Sequence, residues 1–178
     1  MTRQLFSSRL PMLMAALLCA APALAVELPT RKAGLWELKM LRAGSPTPEM
    51  TMQHCTDEAT DKKMTTQLSP MSKENCSKND TVKTATGYAT DSVCSFRGST
   101  MTSHSEVTGD FNSGYSVKVT SHNENPPAGA PRDTNMTLEA KWLGACPADQ
   151  KPGDIVMPGG FRMNITDMEK MKGLMPAK

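Results

Sequence analysis

Met50-Thr-Met-Gln-His54 sets two thioethers and an imidazole at alternate positions of a short segment. In an extended strand, alternate residues share a face, with Cα atoms about 7 Å apart. Soft thioether sulfur beside imidazole suits copper, and Cu(I) above all. The same residues also make ordinary core. Methionine fills irregular gaps readily, and His54 then sits at the rim. Packing is the expected role of Met50 and Met52, and a copper site of Met50, Met52 and His54 is the alternative. A second constellation is His104, His122 and Glu106. Reading Asn112-Ser-Gly114 as a three-residue hairpin loop with a left-handed glycine pairs Phe111 with Tyr115. His104 then falls opposite His122, about 5 Å away at Cβ. Two imidazoles and a carboxylate can hold Zn²⁺ or Cu²⁺. They would lie among Thr and Ser, where histidine is ordinarily solvated, and a register shift would dissolve the pair.

Catalytic signatures are missing from the sequence. It has no G-x-S-x-G elbow, H-E-x-x-H helix or phosphate-binding glycine loop. Acids such as Asp57, Glu58, Glu106 and Asp110 are scattered as on a solvated surface. A non-catalytic protein is expected, with no resident cofactor unless the copper reading holds.

The elements that must position these residues are mostly strands. From Gly34 to Arg42, Trp36, Leu38 and Met40 alternate with Glu37 and Lys39, the period of a half-buried strand. After a Pro/Gly turn at 43–48, Met50, Met52 and His54 share a face of the second strand. Cys55 to Met64 then reads as a short helix capped by a threonine, with acids early and bases late. Ser69-Pro70 suits a further helical turn. Strands resume at Asp80–Ala85 and Tyr88–Phe96 around a turn near Gly87. Later strands turn Met101, Val107 and Phe111, then Tyr115, Val117 and Val119, then Met136, Leu138, Ala140 and Trp142 inward. The expected fold is mainly β. It is a single-domain antiparallel meander of about seven strands, curved or partly closed as a barrel, with a short helix after the second strand. Residues 147–178 read as an irregular tail with a short helix at Asp167–Met175. There Met168, Met171 and Met175 share a face that suits a flap packing back on the sheet.

The first 25 residues read as an export signal. Arg3 and Arg9 precede an apolar run from Leu10 to Ala21, and Ala23-Leu24-Ala25 supplies a small-x-small cleavage site. The run is too short for a membrane-spanning helix, and Leu18 before Cys19 is wrong for lipid attachment. A periplasmic protein beginning at Val26 is expected. Without Arg3 and Arg9, the 20 basic residues become 18, matching 18 acidic ones. A neutral chain lacks the electrostatic footprint for nucleic acid.

A small core in an oxidising compartment calls for covalent staples. Cys55, Cys76, Cys94 and Cys146 remain after the signal, and four cysteines allow three pairings. Folding the hairpin about Ala85 sets Cys76 opposite Cys94, which leaves Cys55 with Cys146. There is no C-x-x-C pair to suggest zinc instead.

Gly34-Leu-Trp-Glu37, Cys55-Thr-Asp-Glu58, two mid-chain cysteines, Trp142-Leu-Gly-Ala-Cys-Pro147 and Lys151-Pro-Gly-Asp154 occur in that order. Together they resemble the domain of unknown function 3617 family (DUF3617), small secreted bacterial proteins. The resemblance implies an exported, largely β, single domain, and it implies no activity. The residues themselves suggest an apolar face of Trp36, Leu38, Met40, Met50, Met52, Val117, Val119 and Trp142. It would suit an apolar or amphipathic ligand, an extended peptide or another envelope protein.

Overall fold

The computed structural model describes residues 26, 28–44, 49–64, 75–96 and 98–167. The expected signal (1–25), the Ser69-Pro70 turn and the Met168, Met171 and Met175 stripe lie outside the described residues. Among the described residues, nine strands form one antiparallel sheet: β1 (Gly34–Arg42), β2 (Glu49–Thr56), β3 (Cys76–Lys83), β4 (Gly87–Phe96), β5 (Ser99–Asp110), β6 (Gly114–Asn123), β7 (Asp133–Gly144), β8 (Asp154–Val156) and β9 (Arg162–Asn164). Their spatial order is β3-β4-β5-β6-β7-β1-β2-β8-β9, so the sheet is open, with β3 and β9 at its ends. β3 to β7 run as a plain meander. The β1–β2 hairpin is set between β7 and β8, joining the first strands of the sheet to the last.

The alternation in the sequence translates directly into two faces. Trp36, Leu38 and Met40 of β1 lie opposite His54, Met52 and Met50 of β2. On the other side they meet Trp142, Ala140 and Leu138 of β7. Trp36, Leu38 and Ala140 make the buried cluster, with Met52, Tyr115, Leu138 and Trp142 packed against it. The opposite face is charged. Glu37 lies across from Lys141 and Lys39 from Glu139, and Lys39 also reaches Glu49 at 3.1 Å. Opposed charges directly across strands favour this register.

Three local features differ from the sequence reading. The helix α1 (58–64) is capped by Asp57, not by a threonine. The Asp57 carboxylate accepts the Thr60 N–H at 2.8 Å, and the Thr60 hydroxyl accepts the Asp57 N–H at 2.9 Å. This reciprocal pair satisfies two donors that a helix start leaves open. Secondly, residues 151–164 are not irregular, because β8 pairs with β2 and β9 with β8. Buried Asp154 holds that corner, accepting from the Lys151 N–H at 2.9 Å and from Asn164 Nδ2 at 2.7 Å. A further helical turn begins at 165 and is described to 167.

Thirdly, the β5–β6 loop is Phe111-Asn112-Ser113, closed by the pairing of Asp110 with Gly114. The Asp110 carboxylate accepts from the Asn112 N–H at 2.9 Å and the Ser113 hydroxyl at 3.0 Å, an Asx turn that outcompetes the expected register. Phe111 stacks on Tyr115 at 4.8 Å instead of pairing with it across the strands. The left-handed glycine is Gly109, at φ 114°.

Two disulfides staple the sheet, Cys76–Cys94 across β3 and β4 and Cys55–Cys146 from β2 to the segment after β7. Among the described residues, no helix is long and apolar enough to cross a membrane.

Candidate functional site

The apolar face divides into a sealed part and an open part. Trp36 is fully buried, and its indole N–H donates to the Lys32 carbonyl at 2.8 Å. Leu38 is also buried. Trp142 is covered differently. Its ring lies 3.6 Å beneath the Lys32 ammonium, and its N–H donates to the Ala33 carbonyl at 3.1 Å. These three expected ligand-face residues are structural. Met40, Met50 and Met52 are only half-buried, as are Met136, Leu138, Val117 and Val119 on the same face of the neighbouring strands. Register joins them into one patch. Met40 faces both Met50 and Leu138, Leu138 faces Val117, and Val119 faces Met136.

A buried polar cluster closes one end of this face. The Arg31 guanidinium contacts the Asp61 carboxylate of α1 at 2.6 and 2.7 Å, and the Arg31 N–H donates to the same carboxylate at 2.8 Å. Arg31 Nη2 also lies 3.0 Å from His54 Nδ1. A guanidinium only donates, so Nδ1 accepts and the ring proton sits on Nε2. That Nε2 is buried and has no partner among the described residues. Burial first, and then Arg31, lower the His54 pKa from 6.5 to about 4, against a smaller opposing pull from Asp61. The imidazole is therefore uncharged at neutral pH. Burial also raises the Tyr115 pKa, although the nearby Arg31 favours its phenolate. Arg31 and Asp61 escaped the sequence reading, which placed Tyr115 only as an inward-facing strand residue. Arg31 and Asp61 are 30 positions apart, and no local spacing advertises such a contact.

The structure places the expected metal ligands as follows. Met50, Met52 and His54 share a face, as alternation requires, but the cationic guanidinium occupies the Nδ1 side of His54. His104 does not oppose His122. It faces Thr120, while His122 faces Thr102, because the Asp110 turn moves the register. The two imidazoles are diagonal neighbours on the exposed face, and each has its own carboxylate. His104 Nδ1 lies 2.7 Å from Asp91 and its Nε2 3.7 Å from Glu106, while His122 Nδ1 lies 2.6 Å from Asp133. The hydrogen bond to Asp91 raises the His104 pKa. Among the described residues, no three His, Cys, Asp or Glu side chains converge as a metal-binding group.

A cavity of about 530 Å³ lies at the β8–β9 end, lined by Asp149, Lys151, Asp154, Arg162 and Asn164 among others. It is polar and does not touch the methionine face. Asp149 and Arg162, paired at 2.8 Å, form part of its wall.

No curated protein and no solved structure matches the chain. Residues 31–146 match the family model described as "Protein of unknown function (DUF3617)". That span runs from the Arg31 that seals the polar cluster to the Cys146 that staples the segment after β7. The chain is therefore a member of the DUF3617 family.

Proposed function

We propose that this chain, after loss of residues 1–25, works in the periplasm as a non-catalytic binding protein. Its methionine-lined face takes the apolar part of an amphipathic ligand. One observation carries the reading. Met40, Met50, Met52, Met136, Leu138, Val117 and Val119 form a contiguous apolar patch that is only partly buried at the middle of the sheet. Contiguous apolar surface on a soluble domain marks an interaction site. Methionine adapts its flexible thioether chain to ligands of varied shape. The two disulfides suit an oxidising compartment.

The test is a titration with N-phenyl-1-naphthylamine, followed by displacement with oleate. Wild type should give saturable fluorescence enhancement that oleate reverses. The Val119→Lys/Met136→Lys variant should bind at least 10-fold more weakly while keeping its far-ultraviolet spectrum. No saturable signal from wild type, or equal binding by the folded variant, overturns the reading.

A further inference from the structure

We propose that Met40, Met50 and Met52 form a thioether site for Cu(I). The inference does not depend on the amphipathic ligand.

It starts from where methionine occurs. Strands β1 to β7 carry five methionines, Met40, Met50, Met52, Met101 and Met136. Three of the five, Met40, Met50 and Met52, fall in one block of the inner face. Met40 is the hub. Met50 lies directly opposite it on β2. Met52 is diagonal to it on β2, whereas Met136 of β7 lies on the opposite diagonal, too far from Met50 and Met52 to share an ion with them. Directly opposed side chains lie about 5 Å apart at Cβ and diagonal ones about 7–8 Å. Unbranched thioether chains with three rotatable bonds can close those gaps on one ion.

Filling the core accounts for only part of this placement. Leu38 and Ala140, next to the block, are buried, whereas Met40, Met50 and Met52 are only partly buried, with Met52 packed against the core cluster. Further along the same face, β6 supplies Val117 and Val119 in place of methionine. The three thioether side chains are thus gathered at the partly open margin of the core.

The donor set selects the metal. Neutral, soft thioethers favour Cu(I) over hard or borderline divalent ions. A monovalent ion also brings the smallest charge to a largely apolar surface. The nearest cation on this face, Arg42, is exposed and its charge is met by solvent. His54 is not a ligand here. Its Nδ1 lies 3.0 Å from the Arg31 guanidinium, which repels a metal cation. Both cysteine pairs among the described residues are closed, so none of these four sulfurs competes as a thiolate.

The test is anaerobic competition for Cu(I) held by bicinchoninate with ascorbate, a reductant that leaves the disulfides intact. Wild type should withdraw one equivalent, and X-ray absorption should show a sulfur shell. Met40→Leu/Met50→Leu conserves side-chain volume, and should weaken uptake at least 100-fold with an unchanged circular dichroism spectrum. Met52→Leu alone should weaken it by a smaller factor. His54→Gln should take up copper like wild type. The proposal is overturned by no uptake from wild type, by full uptake in the double leucine variant, or by loss of uptake in His54→Gln.

Discussion

At His54, burial of a neutral imidazole ties stability to pH. Its pKa falls from 6.5 to about 4 in the folded chain, so the unfolded chain takes up a proton first as the solution is acidified. The contribution is complete above about pH 6.5 and is lost progressively down to about pH 4, amounting to about 3 kcal/mol. The urea midpoint should therefore fall clearly between pH 7.5 and pH 4.5, and His54→Gln should flatten that slope. An equal slope in the variant would assign the effect to carboxylates instead. The face that His54 occupies was legible from its alternation with Met50 and Met52. The reason it is buried was not, because Arg31 is 23 positions away and reaches it from outside any strand.

Strand bounds were legible where both the period and the punctuation were clear. β1 runs from Gly34 to Arg42 as its alternation requires. β8 and β9 were invisible, because three residues are too few to display a period of two. The β5–β6 register was misread because Asn112-Ser-Gly114 is a plausible loop in isolation, whereas the Asp110 carboxylate organises its own turn one residue earlier. Gly34 carries a different constraint. It adopts φ 132°, and a Cβ there would collide with the Gly144 carbonyl oxygen and, at 2.6 Å, with the Trp142 indole nitrogen. It marks where the ends of β1 and β7 converge. Gly34→Ala should cost about 1–3 kcal/mol from backbone strain, before the clash is counted. Thermal unfolding at pH 7.5 would measure it. A melting temperature within a degree of wild type would mean that the β1–β7 junction yields.

For the molecule as a whole, the strands were readable but their final order was only partly so. Neighbouring hairpins follow from the chain, whereas insertion of β1–β2 between β7 and β8 is a long-range choice that no local pattern encodes. The Cys55–Cys146 bridge locks that choice across 91 positions, and Cys76–Cys94 closes only 18. Removing the long bridge with Cys55→Ala/Cys146→Ala should cost about 4–5 kcal/mol, and Cys76→Ala/Cys94→Ala about 3 kcal/mol. Calorimetry should show the larger fall in melting temperature for the first pair, because the second tethers only the end strand β3. Equal falls would mean that β3 supports the rest of the sheet. The bridges are also nested, the later-closing pair enclosing the earlier one. A thiol oxidant acting on a chain that emerges amino end first meets Cys55 and Cys76, which are not partners. Joining them traps the chain in a wrong topology that only thiolate attack on the new bond can undo. If oxidation begins before the last strands are available, reaching the native pairing therefore requires disulfide reshuffling as well as sheet formation.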